Sequence, residues 1–510
     1  MGSTARRLTK GCMAFAAAAL MMGAAINAHA QFQGIYGADR EDAAEGGVIQ
    51  SGDEFVAVGY SDSYGNDRDV YVVKTDKCGN IVWARTIDFG GEDVGRKIRE
   101  TRDGNYVIVG YTENRFNCCT HDDAFLFELD RNGGAINWAS TYGGLSKDQG
   151  MDLQIDRETG DIYACGQSAS FGAGGYDAWL FKTDRGGGLL WSRVYGGRAD
   201  DLLNSLTIGC SGTVIGVGST RSATRAGDEQ VYVVKADATD GSIIGGWPKH
   251  YGNRGDESAW SVATYGDDEL RIVGRTNNFG GRNEEYALAI KCDDGSRIVD
   301  RAFWGSRHDG DDQFTELQVL PTGDIAIVGF LQDNPIGFGG YDVHLLQTDK
   351  LFTPINPGIF AYGGRANDQG WSIAVTTPLD ASERYGLVMA GWSESFEGLG
   401  PRDLYEIRTT AIGKSGCNER KVELKWDDPK FDPQELPTCD PQAQVQCNAK
   451  AEMREVKGHR VLCGPCGPTP QPNELGFSQR IPSNGGNILN NASMKAGAAK
   501  GEGAFLVSPK

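Results

Sequence analysis

Acidic side chains recur in two series of short polar segments, and their spacing could gather many carboxylates on one surface. The first series contains Asp42, Glu92, Asp93, Asp148, Asp200, Asp201, Asp256, Asp311, Asp312 and Asp368. The second contains Asp67, Asp69, Asp122, Asp123, Asp177, Asp228, Asp342 and Asp403. Such a surface could bind Ca²⁺ or a basic partner, because hard cations take several oxygen ligands.

The regular repetition of these carboxylates favours a structural role instead, in which each aspartate accepts backbone hydrogen bonds in its own turn or ties neighbouring repeats. A ligand site normally departs from an internal repeat, whereas a structural device is copied with it. No segment matches the calcium loop D-x-[DN]-x-[DN]-G with its distal Glu. We therefore expect no cofactor, with Ca²⁺ as the weaker alternative.

One segment that departs from the repeat contains Cys118, Cys119, His121 and Asp122. Thiolate and imidazole ligands at this spacing could bind a transition metal. Disulfides are the favoured alternative in an exported protein, as a vicinal bond or as bonds to Cys165 or Cys78.

A second departure contains His308, Asp309, Asp311 and Asp312. A histidine among carboxylates suits a metal site, an acid–base pair or, as the favoured alternative, a solvated loop. We take both segments as candidate binding-face loops.

The C-terminal cysteines are Cys417, Cys439, Cys447, Cys463 and Cys466, and prolines are frequent around them. Cys463 and Cys466 have the C-x-x-C spacing of a redox motif, but the following GPTPQPNE cannot form the helix that such a motif requires. Structural disulfides are the expectation, and a zinc site shared with Cys439 and Cys447 is the alternative. Eleven cysteines follow the first thirty residues, so at least one is free, bonds another chain or has another role.

Motifs of hydrolytic enzymes are absent from the sequence. It has no G-x-S-x-G, no H-E-x-x-H and no phosphate-binding loop. Pairs of acids for glycoside cleavage could occur among so many aspartates, but nothing selects a pair. We expect no catalytic residues and a protein that is not an enzyme.

The elements that carry these loops repeat seven times. An aromatic-Gly step recurs every 53 to 58 residues, at Tyr36, Phe89, Tyr142, Tyr195, Tyr251, Trp304 and Tyr362. A glycine after a short apolar run recurs at Gly59, Gly110, Gly166, Gly218, Gly274, Gly329 and Gly391. A tryptophan recurs at Trp83, Trp138, Trp191 and Trp247.

Each repeat contains four short runs of β-branched and aromatic residues separated by turn residues, which indicates four strands. A four-stranded unit cannot bury both of its faces alone, but seven arranged radially can. The sequence therefore predicts an all-β fold, a seven-bladed β-propeller of four-stranded blades followed by a Cys/Pro-rich irregular segment. The last repeat lacks a fourth strand, and QFQGIY at the start is expected to supply it and close the ring.

The repeat resembles that of secreted bacterial and archaeal β-propeller proteins. The resemblance lies in four consecutive parts: YGG-x-x-D, a G-Y-[ST] strand, FGAGGYDAWLFKTD and G-x-x-x-W-x-x-x-YGG. The resemblance covers roughly residues 31–413 and is closest over 142–197. It implies a propeller at the cell surface, in a family whose members are mostly of unknown function. Repeats five to seven depart most, since Asp300 stands where the tryptophan would be and the sixth fourth strand is LFTPINPGIFAYGG.

The first thirty residues have the parts of a secretory signal. Basic residues precede an apolar run, and Ala28-His29-Ala30 forms a cleavage site. We divide the chain into a signal peptide (1–30), a propeller (31–413), a disulfide-stapled module (414–467) and a flexible tail (468–510). No later segment is expected to cross a membrane as a helix.

The formal charge is −19, and without the three basic residues of the first thirty it is −22. So acidic a chain repels nucleic acid, which excludes a general role in binding it. We expect an exported binding or scaffolding module, at the cell surface, extracellular or periplasmic, with a protein or glycan ligand on a propeller face.

The C-terminal segment is expected to serve envelope attachment or self-assembly. Two alternatives remain for the whole chain: a secreted carbohydrate-active enzyme that uses carboxylates of the acidic face, and a subunit of an extracellular assembly.

Overall fold

The computed structural model describes residues 31–113, 121–223, 227–278, 283–304, 310–332, 338–378, 383–396, 399–422, 424–430, 434–435, 446–448, 452–456 and 459–463. Across these residues the regular secondary structure is β-strand throughout, so the all-β prediction is confirmed. A helix long and apolar enough to cross a membrane does not occur in this part of the chain. The predicted signal peptide and the tail 468–510 lie outside the described residues.

The first 28 strands form seven antiparallel sheets of four, the blades of a propeller. Blade 1 contains β2 (Asp42–Ser51), β3 (Glu54–Ser61), β4 (Asp69–Thr75) and β5 (Ile81–Asp88). Blade 2 contains β6 (Asp93–Glu100), β7 (Tyr106–Thr112), β8 (Asp123–Leu129) and β9 (Ile136–Tyr142). Blade 3 contains β10 (Asp148–Ile155), β11 (Ile162–Ser168), β12 (Asp177–Thr183) and β13 (Leu189–Tyr195). Blade 4 contains β14 (Asp201–Gly209), β15 (Thr213–Thr220), β16 (Gln230–Asp237) and β17 (Lys249–Tyr251).

The other three blades have the same order of strands. Blade 5 contains β18 (Glu257–Tyr265), β19 (Glu269–Thr276), β20 (Glu284–Lys291) and β21 (Arg297–Trp304). Blade 6 contains β22 (Gln313–Val319), β23 (Ile325–Leu331), β24 (Asp342–Thr348) and β25 (Pro354–Tyr362). Blade 7 contains β26 (Asp368–Thr376), β27 (Gly386–Ser393), β28 (Asp403–Thr410) and, from the N-terminal end, β1 (Phe32–Tyr36). The seven-bladed prediction is confirmed.

Closure of the ring depends on strand β1, which pairs antiparallel with β28 from Phe32↔Arg408 to Tyr36↔Leu404. The innermost strands of the blades contact one another in a closed circle, in which β26 of blade 7 touches β2 of blade 1. The prediction that the N-terminal segment completes blade 7 is therefore confirmed. Blade 7 holds both ends of the repeat array in one hydrogen-bonded sheet.

The hydrophobic core lies between the blades, where the face of one sheet packs on the face of the next. One cluster joins Val56, Val72, Ile98 and Phe127 of blades 1 and 2, and similar clusters fill the other boundaries. This is the packing that a four-stranded blade cannot obtain alone.

The repeated tyrosines bind one blade to the next through their hydroxyl groups. Tyr195 Oη donates to the carbonyl oxygen of Gly241 at 2.6 Å, and Tyr142 makes the equivalent bond to Gly187 at 2.6 Å. The repeated tryptophans pack on the same turns, so that a Cβ on Gly187 would lie 2.7 Å from the ring of Trp138. The aromatic marks of the sequence are therefore contacts between blades, as predicted.

The repeated glycine of the second strand has a more local role. In every blade the innermost strand departs from regular register opposite this glycine, as between Gly150 and Asp152, where Gly150 pairs with Gly166 and Asp152 with Cys165. A Cβ on Gly166 would lie only 1.8 Å from the carbonyl oxygen of Gln149. At the other six glycines the corresponding distance is 1.8 to 2.1 Å. Each glycine thus admits a β-bulge in the innermost strand of its own blade.

The segment after the propeller forms six short strands on the outside of the ring. They are β29 (Glu419–Lys421), β30 (Lys425–Asp427), β31 (Gln434–Glu435), β32 (Gln446–Asn448), β33 (Glu452–Glu455) and β34 (His459–Cys463). In this order they add an antiparallel fifth strand to blades 6, 5, 4, 2, 1 and 7. We call this set of strands the outer belt. Blade 3 has four strands in the described residues.

The outer belt corrects the division of the chain made from sequence. Residues 414–467 were expected to form a small module of their own, but the described strands pair with the blades rather than with one another. Val422 and Val456 are buried against the propeller. The physical reason is that a blade's outermost strand has a row of unpaired backbone groups, which a passing extended segment can satisfy.

Disulfide bonds add covalent ties, and one of them was not anticipated. Cys210, after β14 of blade 4, is bonded to Cys292, after β20 of blade 5. Cys78 and Cys417 are also disulfide-bonded. Cys165, one of the suggested partners of Cys118 and Cys119, is a buried free thiol. A bond to Cys165 is therefore wrong, because this side chain packs as an apolar group in the core of blades 3 and 4.

The bulge predicts a sharp sensitivity to a methyl group at the repeated glycine. We expect Gly166→Ala to lower the free energy of unfolding by about 3 kcal/mol or more, since its Cβ must displace backbone rather than a flexible side chain. Denaturant unfolding of the whole chain measures this. Gly245→Ala is the matched control, because a Cβ at Gly245 meets nothing within 4 Å, and equal stability of the two variants would contradict the assignment.

The outer belt predicts that its removal exposes strand edges. We expect a chain ended at residue 418 to self-associate, because the edges of six blades lose their partners. A chain ended at residue 467, which keeps all described belt strands, is the control. Light scattering after size-exclusion chromatography distinguishes them, and a monodisperse, monomeric 418 form would show that the belt does not protect these edges.

Candidate binding site at the propeller axis

The bulges aim one residue of each blade at the propeller axis. This residue stands three positions after the acidic residue that begins or precedes each innermost strand, about 10 Å along the strand. The seven residues are Glu45, Arg96, Met151, Asn204, Trp260, Thr315 and Trp371, and all of them line one cavity. They occupy equivalent positions of a repeat, yet no more than two share a residue type.

The cavity has a volume of about 40 Å³, which is enough for a few water molecules. Its remaining lining residues are Gly46, Lys97, Asp152 and Ser205, at the next position of their strands. Two rings of residues therefore come from the bulges: an axial ring of the seven residues named first, and a second ring formed by the residue that follows each of them. The seven innermost strands wall the cavity on every side, so a ligand would enter along the axis.

Two tryptophans give the cavity an aromatic wall. Trp260 and Trp371 lie edge to face, with ring centroids 5.6 Å apart and an interplanar angle of 70°. Trp371 also packs on Phe330, at 6.1 Å between centroids. The Nε1 atoms of both tryptophans are buried, and neither has a hydrogen-bond partner in the described part of the chain.

An ion pair stands beside this wall. Arg96 Nη1 lies 3.1 Å from Glu45 Oε2, and its guanidinium lies 5.5 Å from the ring centroid of Tyr111. Burial opposes the charge of Arg96, but Glu45 and Tyr111 outweigh it and raise the pKa of the guanidinium. Arg96 Nε is a third buried donor without a partner among the described residues.

A second ion pair crosses the axis. Lys97 Nζ of blade 2 lies 2.7 Å from Glu316 Oε1 of blade 6, and both side chains are almost fully buried. Burial alone would raise the pKa of Glu316, but the charges of Lys97 and Arg99 and the hydrogen bonds from Lys97 and Ser372 outweigh it, so that its pKa lies below the ordinary value. Asp152 lies 3.5 Å from Arg99 Nη2.

The second ring, which contains Lys97 and Asp152, also joins neighbouring blades. Asp152 Oδ2 accepts the backbone N–H of Leu206 in blade 4 at 3.0 Å. Four more boundaries have the same bond from the backbone of the next blade, to Ser205, Ser261, Glu316 and Ser372. The walls of the cavity are thus fixed by hydrogen bonds before any ligand arrives.

The predicted acidic loops lie at the start of the innermost and third strands, and the hydrogen bonds there support a structural role. At every boundary the backbone N–H of the first-strand acid donates to a carbonyl of the preceding blade, as from Asp201 to Tyr176 at 2.7 Å. The carboxylate of Asp201 accepts the N–H of Gly197 at 2.7 Å. Asp42, Asp93, Asp148, Glu257 and Asp368 likewise accept an N–H from four residues earlier.

These carboxylates are buried in pairs, which changes their acidity. A Cβ on Gly37 would lie 2.5 Å from an oxygen of Asp42 and 2.5 Å from one of Asp403. Burial, together with the charge of Asp42, raises the pKa of Asp403 to about 8. In the equivalent pair, burial and the charge of Asp368 raise the pKa of Asp342 to about 7.

One acidic group departs from the repeat. Asp67, Asp69 and Asp88 can each bring a carboxylate oxygen within 4.8 Å of the other two. Asp88 Oδ1 already accepts the backbone N–H of Gly90 at 2.7 Å. This is where the Ca²⁺ alternative would apply, and the hydrogen bond shows a structural use for the same group.

The candidate binding-face residues are on different blades. His121 is exposed in blade 2, and the neighbouring Asp122 pairs with Lys147 Nζ at 3.2 Å and accepts from Gln149 at 2.9 Å. In blade 6, Asp311 accepts from Asn283 at 2.6 Å and Asp312 from the N–H of Gln332 at 2.7 Å. Each contact is with the same or an adjacent blade, so the structure does not bring the two groups together.

The remaining candidates fall outside what is described. Cys118, Cys119, His308, Asp309, Cys439 and Cys466 lie outside the described residues, and for Cys447 and Cys463 only the backbone is described. Sequence analysis missed the axial ring, although its members share one register after the repeated acid. It also missed Cys210 and Cys292, which stand in turns of adjacent repeats.

Comparison with known proteins assigns no family to this chain. No family model matches the chain, and no curated protein matches it. Among solved structures it is similar to a protein of unknown function from Dyadobacter fermentans, with 12% identity, 74% of this chain and 98% of that chain covered and a TM-score of 0.39. It is similar to a polysaccharide lyase, an ulvan lyase, with 10% identity, 74% and 94% covered and a TM-score of 0.39. A sialidase from Streptococcus pneumoniae has 9% identity, with 73% and 68% covered and a TM-score of 0.36.

The buried carboxylate pairs predict a stability that rises as the pH falls from 8 to 5. Because their folded pKa values lie above those of the unfolded chain, the folded state takes up protons in this window and the unfolded state does not. We expect Asp403→Asn, which removes the pKa of about 8, to raise the free energy of unfolding by about 3–4 kcal/mol more at pH 8 than at pH 5, because only the unfolded state is fully ionised across this range and each pH unit contributes about 1.4 kcal/mol.

Denaturant unfolding at both pH values measures this effect. Asp240→Asn is the control, since Asp240 is exposed and its pKa is lowered by hydrogen bonds to Ser242, while the change of net charge is the same. An identical pH profile for Asp403→Asn and the unchanged protein would show that Asp403 is ionised at no cost.

Proposed function

We propose that this chain is exported and acts outside the cytoplasm as a non-enzymatic binding module that takes its ligand at the axial cavity. The observation that carries the proposal is the ring of seven bulge residues, in which a copied position has diverged to six residue types. A structural device of a repeat is copied. The acids at the start of the innermost strands, which we call the rim acids, are copied in this way. A position that faces a common cavity and is not copied is what ligand recognition requires.

Export is supported by the N-terminal sequence and by the disulfides. The Cys210–Cys292 bond and the bonded Cys78 and Cys417 suit an oxidising compartment. The resemblance of the repeat to secreted propeller proteins favours the same location. N-terminal sequencing of the exported protein tests the proposed cleavage after Ala30.

The contacts of the cavity carboxylates favour binding over hydrolysis. Glycoside cleavage uses two carboxyl groups that face the substrate, one as acid and one as base or nucleophile. Here Glu45 is paired with Arg96. Asp152 accepts from Ser205 and from the N–H of Leu206. Both groups are already engaged in holding the walls.

The axial site predicts that filling the cavity abolishes capture of the ligand. We expect Met151→Trp to lose at least about tenfold of the material that the full chain captures by cross-linking on intact source cells, because the larger side chain occupies the space of the ligand. Leu190→Trp is the matched control, since Leu190 is exposed on β13, the outer strand of blade 3. Mass spectrometry and glycan analysis of the captured material measure the difference.

Three outcomes would contradict the proposal in different ways. Equal capture by both variants would move the binding site away from the axis. Capture that depends only on the outer belt or on residues 468–510 would favour an assembly subunit. Release of new reducing or unsaturated ends from a polysaccharide would favour the carbohydrate-active enzyme.

A further inference from the structure

We propose that the boundary between blades 7 and 1 is sensitive to pH: it is closed while Glu406 of β28 is protonated, and it opens when Glu406 loses its proton. The inference goes beyond the proposed function and does not depend on it. Four observations support it: the contacts that close this boundary, the position of Glu406 in the repeat, the groups around its side chain and a second pair of carboxyl groups nearby.

Non-covalent contacts close the repeat array at this boundary. Strand β28 of blade 7 pairs with β1, from which the chain continues into blade 1. The backbone N–H of Asp42 in blade 1 donates to the carbonyl oxygen of Arg402 in blade 7 at 2.9 Å. The N–H of Val48 in blade 1 donates to Ser372 Oγ of blade 7, also at 2.9 Å. Separation of the two blades would break both bonds.

Glu406 stands where every other blade has an apolar residue. The equivalent residues of the other third strands, all of them buried, are Val72, Leu126, Leu180, Val233, Ala287 and Leu345. Glu406 is itself buried, with 1% of its surface exposed. Ionisation of a carboxyl group in such a position is unfavourable, because the charge has lost its contact with water. One boundary therefore has an ionisable group within its core.

The side chain of Glu406 reaches across the boundary. Thr75 Oγ1 of blade 1 lies 3.0 Å from each carboxyl oxygen of Glu406. Arg408, two residues later on the same strand, donates to the carbonyl oxygen of Lys77 at 3.3 Å. Its guanidinium also lies 4.6 Å from the ring centroid of Phe55, so it is engaged with blade 1 rather than with Glu406 alone. The charged groups that act on this guanidinium are Glu406, Asp53 and Glu383.

The balance of these groups decides when Glu406 ionises. Burial raises the pKa of Glu406 to about 8, although the hydrogen bond from Thr75 and the charge of Arg408 favour the ionised form. Tyr36 of β1 acts in the same sense as Thr75, and the charge of Asp76 acts in the opposite one. A glutamate of the unfolded chain has a pKa of about 4.3. The contribution of the protonated group to closure is therefore complete below about pH 4.3 and is lost as the pH rises through about 8.

A pair of carboxyl groups at the same boundary acts in the same direction. Burial, with the charge of Asp42, raises the pKa of Asp403 to about 8. The boundary between blades 3 and 4 differs at both positions. Leu180 replaces Glu406 there, and Asp177, which is equivalent to Asp403, has a pKa that burial raises only to about 6. The boundary between blades 7 and 1 should therefore be the more sensitive to pH between 6 and 8.

This boundary also forms part of the wall of the axial cavity. Glu45 of blade 1 and Trp371 of blade 7 line the cavity from the two sides of the boundary. Its volume of about 40 Å³ holds only a few water molecules while the ring is closed. Separation of the two blades would widen it, so protonation of Glu406 limits the size of the cavity.

The test is hydrogen–deuterium exchange of residues 31–510 at pH 6 and pH 8, with rates corrected for the intrinsic effect of pH. Peptides that contain residues 42–48 report the boundary between blades 7 and 1. Peptides that contain residues 201–206 report the equivalent bonds between blades 3 and 4. We expect the first set to lose at least about tenfold more protection than the second, because each pH unit below a folded pKa of about 8 changes the equilibrium about tenfold.

Glu406→Gln keeps the size of the side chain and its bond to Thr75 but cannot ionise. In this variant the loss of protection of residues 42–48 between pH 6 and pH 8 should be at least about tenfold smaller. Asp177→Asn is the matched control, since it removes an acid of the boundary between blades 3 and 4, and it should leave that loss unchanged. If Glu406→Gln fails to fold, Glu406→Leu, which restores the leucine found at Leu126 and Leu180, allows the same measurement.

Two results would overturn the inference. Equal losses of protection in the two sets of peptides would show that the molecule opens as a whole or that neither boundary responds to pH. An unaltered loss in the Glu406 variant that folds would show that another group controls the boundary.

Discussion

The close approach of two backbones within each blade determines what the rest of the propeller can do. The second-strand glycine lets the innermost strand's carbonyl oxygen come within 1.8 to 2.1 Å of where a Cβ would stand. That approach makes room for the bulge, and the bulge turns two consecutive side chains toward the axis. One of these two rings joins neighbouring blades, and the other lines the cavity. A glycine that does not line the cavity is therefore a precondition for a cavity that all seven blades line.

The contrast between copied and uncopied positions separates support from recognition. The rim acids are copied around the ring, and each spans a boundary between blades through its backbone N–H. These acids are abundant enough to suggest a cation-binding face, but their hydrogen bonds are made within the protein. Three positions further along the same strands, the residues run from Glu45 to Trp371 without a common chemistry. Along each innermost strand, the rim position is therefore an acid in every blade, whereas the position three residues later differs from blade to blade.

The sequence alone was sufficient to predict the fold, because the spacing of the repeated residues indicates the number and order of the blades. Seven aromatic-Gly steps and one missing outer strand predicted both the blade number and the closure by β1. The axial ring was harder to predict, since a bulge depends on backbone distances and the residues it redirects share no type. Arg96, Met151 and Trp371 each stand three residues after a rim acid, and this constant spacing could have predicted the axial ring. The outer belt left no such signal, because short segments such as Lys425–Asp427 gain strand structure only from the edges they meet.

The charged groups at the axis lie where the repeat is least regular. Five boundaries have the bond from a side chain to the next blade's N–H, but Gly46 has no side chain to offer and Lys97 has no acceptor. Without that local bond, Lys97 extends across the axis to Glu316, and the adjacent Glu45 and Arg96 pair with each other. Buried ion pairs add little net stability, because desolvation offsets their attraction. They do fix geometry, so blade 2 is held to blade 1 and to blade 6 by charge. The charges that line the cavity therefore balance inside an acidic molecule.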